Sequence, residues 1–83
     1  ALNVEKTPII IFPNPVDEIL NIVSAIDGYL EMNIFDISGK LLHSSIINGM
    51  NNVLLMHNFQ KGIYILEIKS EYDDLEIFKI VKH

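Results

Sequence analysis

The sequence predicts an all-β domain, an antiparallel sandwich of about seven short strands. Three observations lead there. Short runs rich in Ile, Leu, Val and Tyr recur between turn signals spaced by roughly 8–14 residues. No stretch longer than about ten residues between those signals carries a 3.6-residue apolar period. All four glycines, Gly28, Gly39, Gly49 and Gly62, fall at the ends of the runs. Patterning alone leaves a small barrel as the alternative. No internal repeat and no low-complexity tract interrupts the chain.

Ala1 to Pro8 is mixed and polar and reads as the end of a linker, so the domain is expected to span residues 9–83. Its first strand is Ile9 to Phe12, an apolar, β-branched run. Pro13 and Pro15 end it, because proline gives no N–H to a ladder and pushes the preceding residue into extended geometry. The Pro-Asn-Pro corner is therefore expected to be stiff, extended and unpaired, at a crossing between sheets or at an edge. Strand two runs from about Ile19 to Ser24, with Leu20 and Ile22 on one face and Asn21 on the other. Asp27-Gly28 is a turn pair. Strand three, Tyr29 to Phe35, alternates cleanly, with Leu30, Met32 and Ile34 inward.

Asp36-Ile37-Ser38-Gly39 forms a tight turn in which Gly39 takes positive φ. Strand four is Lys40 to Ile47, and Asn48 to Asn52 is the next loop, carrying the Asn-Gly pair that signals a hairpin. Strand five, about Val53 to Met56, is apolar throughout, so its period cannot say which residues face in. A loop from His57 to Gly62 has one apolar anchor, Phe59. Strand six is Ile63 to Lys69, with Tyr64, Leu66 and Ile68 on one face. Ser70 to Asp74 turns the chain, and strand seven, Leu75 to Val81, points Phe78 and Ile80 inward.

Composition narrows the function. Eighty-three residues with 49% apolar and 20% charged content make one small ordered domain. No apolar run exceeds four residues, far short of the roughly 20 that span a bilayer as a helix. With no cysteine, neither disulfides nor thiolate metal sites are available. The chain begins at Ala1 with no basic-then-apolar leader, and is expected to be a piece of a longer protein. The net charge is −5 and every basic residue is a lysine, so bidentate phosphate recognition is missing and nucleic acid is not an expected partner.

Candidates for chemistry are few. His43, His57 and His83 have no zinc-like spacing to one another or to a carboxylate. Ser44 and Ser45 follow His43, but Ser44, its strand neighbour, points to the opposite face, which defeats a nucleophile–base pair there. Asp17-Glu18 and Asp73-Asp74 can contribute to a calcium site, yet six to eight oxygens from several loops are needed. No Gly-rich phosphate loop is present, and Tyr29, Tyr64 and Tyr72 without any Trp make a thin sugar platform. Tyr64 reads instead as a core residue with its hydroxyl near an edge. No cofactor, no metal and no catalysis is expected.

Four segments in order carry a resemblance: Phe12-Pro13-Asn14-Pro15 followed by Leu20-Asn21-Ile22; Ile34 to Lys40; Lys61 to Ile68; and Phe78-Lys79-Ile80-Val81-Lys82. Together they resemble the C-terminal sorting domain of type IX (Por) secretion cargo, over Ile9 to Lys82. The resemblance implies an immunoglobulin-like sandwich without activity, which directs an N-terminal passenger through the outer-membrane translocon. It further implies transit through the periplasm, cleavage by a surface sortase upstream of the first strand, and release or outer-membrane surface attachment. Carried over by position, Phe12, Pro13, Asn14 and Pro15 are the opening signature. Asp36, Gly39 and Lys40 form the central turn, and Gly62 and Tyr64 begin the late strand. Lys79, Ile80, Val81 and Lys82 form the tail that the machinery reads. Phe12 stands where Tyr is commoner, Leu54 to His57 replaces an Asp-containing alternation, and Gln60 replaces Pro or Ala.

A lysine-flanked last strand is expected to be an exposed recognition edge to which a partner adds a strand. Open edges also allow a weak homodimer. The competing reading is a carbohydrate-binding or adhesin module retained on a secreted protein, since sandwiches host both. Such a module calls for a cluster of exposed aromatics, which this composition lacks.

Overall fold

The structure, a computed structural model, describes residues 9–25, 28–48, 50–71 and 74–83. Its elements are β1 (Ile9–Phe12), β2 (Ile19–Ser24), β3 (Tyr29–Asp36), β4 (Leu41–Asn48), β5 (Asn51–Leu55), β6 (Gly62–Ser70) and β7 (Leu75–Lys82). They form a three-stranded sheet in the order β1-β2-β5 and a four-stranded sheet in the order β4-β3-β6-β7, every pairing antiparallel. This is an immunoglobulin-like sandwich, and the expected strands stand where the alternation put them, with ends shifted by one or two residues. The Asp27 turn position and the Ala1–Pro8 linker fall outside the described residues, as do Gly49, Tyr72 and Asp73.

Period-2 patterning builds the core. Leu20 and Ile22 of β2 and Leu54 of β5 face Leu30, Met32 and Ile34 of β3 and Leu66 and Ile68 of β6, all buried. Val16, Met56, Tyr64 and Ile80 close the cluster, and Phe59 and Phe78 pack against it. Burying an aliphatic side chain of this size contributes about 1.5–3 kcal/mol, so this layer holds the sheets together. For β5, whose apolar run shows no alternation, pairing decides the facing. Leu54 lies opposite Leu20 and points in, while Val53 and Leu55 are exposed. Asn51 and Asn52 belong to the strand because they pair with Val23 and Ile22.

One expectation about connections fails and another holds in part. The Asn48–Asn52 stretch is no hairpin loop, because β4 and β5 lie in different sheets and the chain crosses between layers there. Local turn chemistry yields to the burial of Leu54 against the opposite layer. Of the two placements expected for the Pro-Asn-Pro corner, the edge holds, whereas the unpaired crossing between sheets does not. The corner connects β1 to β2 within one sheet, with β1 at the edge, and it bonds to the last strand of the other sheet. Both X-Pro bonds, Phe12-Pro13 and Asn14-Pro15, are cis.

Candidate functional site

Prolines on either side of Asn14 leave this segment short of backbone donors, and the Asn14 side chain supplies one. Its Nδ2 donates to the Lys79 carbonyl at 2.7 Å, and its Oδ1 accepts from the Val81 N–H at 2.9 Å. One primary amide thus acts as the edge of a neighbouring strand. Asparagine is the short side chain that can both give and take at that spacing; an aspartate can only accept. Two residues on, the backbone takes over. Val16 N–H donates to Val81 O at 2.8 Å, and His83 N–H donates to Val16 O at 2.9 Å, making a parallel bridge. The Val16 side chain is fully buried and anchors this contact in the core. Asn21 steadies the same corner by donating to Phe12 O at 3.1 Å.

The central turn is organised by one carboxylate. Asp36 Oδ1 accepts from the Ser38 hydroxyl at 2.6 Å, the Ser38 N–H at 2.9 Å and the Lys40 N–H at 3.0 Å. The Ser38 hydroxyl first, and then the Lys40 amide, hold this carboxyl below its ordinary value. Gly39 closes the turn at φ +91° and donates to Asp36 O at 3.0 Å. Further along, Tyr64 is buried and its hydroxyl donates to Gln60 O at 2.6 Å, a tyrosine corner of the kind found in immunoglobulin sandwiches. The Phe59 ring meets it edge-on, with centroids 5.3 Å apart.

Strand register brings these pieces to one end of the four-stranded sheet. Asp36 pairs with Tyr64, Tyr64 pairs with Ile80, and Gly62 pairs with Lys82. Asn14 and Val16 complete the row from beyond β7. Segments lying far apart in the sequence are therefore a single structural unit. Within it Ile80 and Tyr64 are core residues, whereas Phe12, Pro13, Asn14, Pro15, Gly39, Lys40 and Lys79 are exposed. Val81 and Lys82 are half-buried, and the Lys82 ammonium donates to His83 O at 2.7 Å.

The expected open edge on the last strand is present only in part. From the Lys79 carbonyl to the His83 N–H its outward backbone groups are taken by Asn14 and Val16, so a partner cannot add a strand there without displacing them. Val16 is the residue that sequence reasoning missed. Its signal was an apolar side chain directly after Pro-Asn-Pro in an otherwise polar connection.

Among the described residues no three His, Asp or Glu side chains gather as metal ligands. Ser44 Oγ donates to Asn33 Oδ1 at 2.6 Å, and His43 is exposed. Asp17 lies 3.8 Å from the His83 imidazole, both side chains solvent-facing.

A family model described as a secretion system C-terminal sorting domain matches residues 10–83. No curated protein matches the chain.

Proposed function

The chain belongs to the family of secretion system C-terminal sorting domains, and from that premise we propose that it works without catalysis, as a folded export address. A type IX sorting domain implies a passenger protein, the secretion machinery, and delivery to the cell surface or beyond. In the finer reading, residues 9–83 follow the passenger through the periplasm and are engaged by the translocon. A surface sortase then cuts upstream of the first strand and attaches the passenger to the outer-membrane surface.

The observation that supports this reading is the bond between Asn14 and Lys79 and Val81, which joins the opening signature to the closing tail. The address is then a folded corner rather than a linear tail. Phe12, Pro13, Pro15 and Lys79 offer its exposed side chains, with Val81 and Lys82 at its rim. Asp36, Gly39, Lys40, Gly62, Tyr64 and Ile80 keep that end of the sheet in shape.

The test is a transplant. The chain is fused behind a signal peptide and a fluorescent passenger in a bacterium with type IX secretion. The passenger is expected at the surface or in the medium, lighter by the mass of the domain. Lys79→Glu and Asn14→Ala each lower export. A full-length wild-type fusion held in the periplasm overturns the reading.

A further inference from the structure

The edges of the two sheets are protected very unequally. β1 has four residues and stops at Pro13. β7 is occupied from Lys79 to His83 by Asn14 and Val16. β5 has five residues. β4 has eight, pairs only with β3 among the described strands, and carries no Lys, Asp, Glu or Pro. Those residues are the usual means of blunting an edge, together with bulges. The irregularity in this strand is confined to its start, opposite Ile34 and Phe35, and from His43 to Asn48 the register is regular.

Backbone groups alternate along the strand. Asp36 N–H donates to Lys40 O, so the even-numbered residues of β3 face β4 and bond to His43, Ser45 and Ile47. Ser44, Ile46 and Asn48 accordingly turn their N–H and C=O groups outward from the sheet. Ile46, at 72% exposure, is the most exposed large apolar side chain in any described strand.

We propose that two copies of the chain pair antiparallel along β4, centred on Ile46, and join their four-stranded sheets into one. This register sets Ile46 against Ile46 and Ser44 against Asn48 on either side, with about six backbone hydrogen bonds. Apolar meets apolar and polar meets polar. Centring on Ser45 instead sets Ile46 against Ser44 and loses that match. Self-pairing of β5 around Val53 sets Asn51 against Leu55, over fewer residues. The net charge of −5 opposes association in general. At this seam, however, the nearest facing carboxylate is Glu31, on β3 opposite Ile46. The two copies of Glu31 stand three strand spacings apart, about 14 Å, beyond the Debye length of about 8 Å. A contact along one short strand is smaller than the roughly 1,200 Å² of a stable interface, so the dimer is weak and concentration-dependent. The inference does not depend on the export reading.

Sedimentation of the chain from micromolar to millimolar concentration tests it, with Ile46→Lys and Val53→Lys compared at exposed positions of the two sheets. The wild type and Val53→Lys are expected to dimerise together, and Ile46→Lys to need at least about tenfold higher concentration. Amide exchange at Ser44, Ile46 and Asn48 slows as concentration rises, while Ser45 and Ile47 are unchanged. A wild type that stays monomeric throughout, or an Ile46→Lys variant that associates as the wild type does, overturns the proposal.

Discussion

The side-chain amide of Asn14 holds the backbone of Val81 as a neighbouring strand would, accepting from its N–H at 2.9 Å while donating a hydrogen bond to the Lys79 carbonyl at 2.7 Å. These bonds span 65 and 67 residues and tie the first corner of the domain to its last strand.

Replacing Asn14 separates the two halves of that amide. Asn14→Ala loses both hydrogen bonds and is expected to cost about 1–3 kcal/mol, at the low end because the site is exposed. Asn14→Asp keeps the acceptor for Val81 but sets a carboxylate oxygen against the Lys79 carbonyl, so it is expected to be no more stable than Asn14→Ala at pH 7. Thermal melting of the two variants beside the wild type checks the order.

The tyrosine corner is a single bond at 2.6 Å from the Tyr64 hydroxyl to Gln60 O. Tyr64→Phe keeps the edge-on contact with Phe59 and removes only that bond. A loss of about 0.5–1.5 kcal/mol in urea unfolding is expected. Leu66→Ala, at a fully buried position of the same strand, is expected to cost about 2–5 kcal/mol.

Gly39 sits at φ +91°, and a methyl group added to its Cα would meet nothing within 4 Å beyond its own chain neighbours, so an alanine there meets backbone strain without a clash. Gly39→Ala is expected to destabilise by about 1–2 kcal/mol, with the strain confined to the Asp36 turn. Denaturant unfolding gives the magnitude, and unchanged amide shifts in β2 and β5 show the confinement.

The pH dependence of the same turn has a fixed sign. The Asp36 carboxyl is held below its ordinary value by Ser38 and Lys40 in the folded chain. Its contribution is therefore fully present above the ordinary value of 3.8 and is lost as pH falls through the lower folded value. The stability difference between wild type and Asp36→Ala is expected to be flat from pH 7 to about 5 and to shrink below about 4. Unfolding curves across that range check it, and a difference that grows on acidification overturns the assignment.

Much of this domain is local and was legible. The alternation of Leu30, Met32 and Ile34 set the face of β3, and Gly39 set the turn, because side-chain period and positive φ depend on neighbours in the chain. The four signature segments were legible as a family pattern, and the family match over residues 10–83 agrees with it. Their meeting at one end of a sheet was not, since nothing in Pro-Asn-Pro names the strand whose backbone it completes.

Strand number, the facing of most side chains and the family could all be read from the order of residues alone. Three features came from packing instead: β4 and β5 part to different sheets, Asn14 and Val16 close the end of β7, and β4 has no partner but β3 among the described strands. The physical reason is one of range. Periodicity and turns are written in adjacent residues, whereas an unpaired backbone N–H or C=O is satisfied by whatever group the packed core brings beside it.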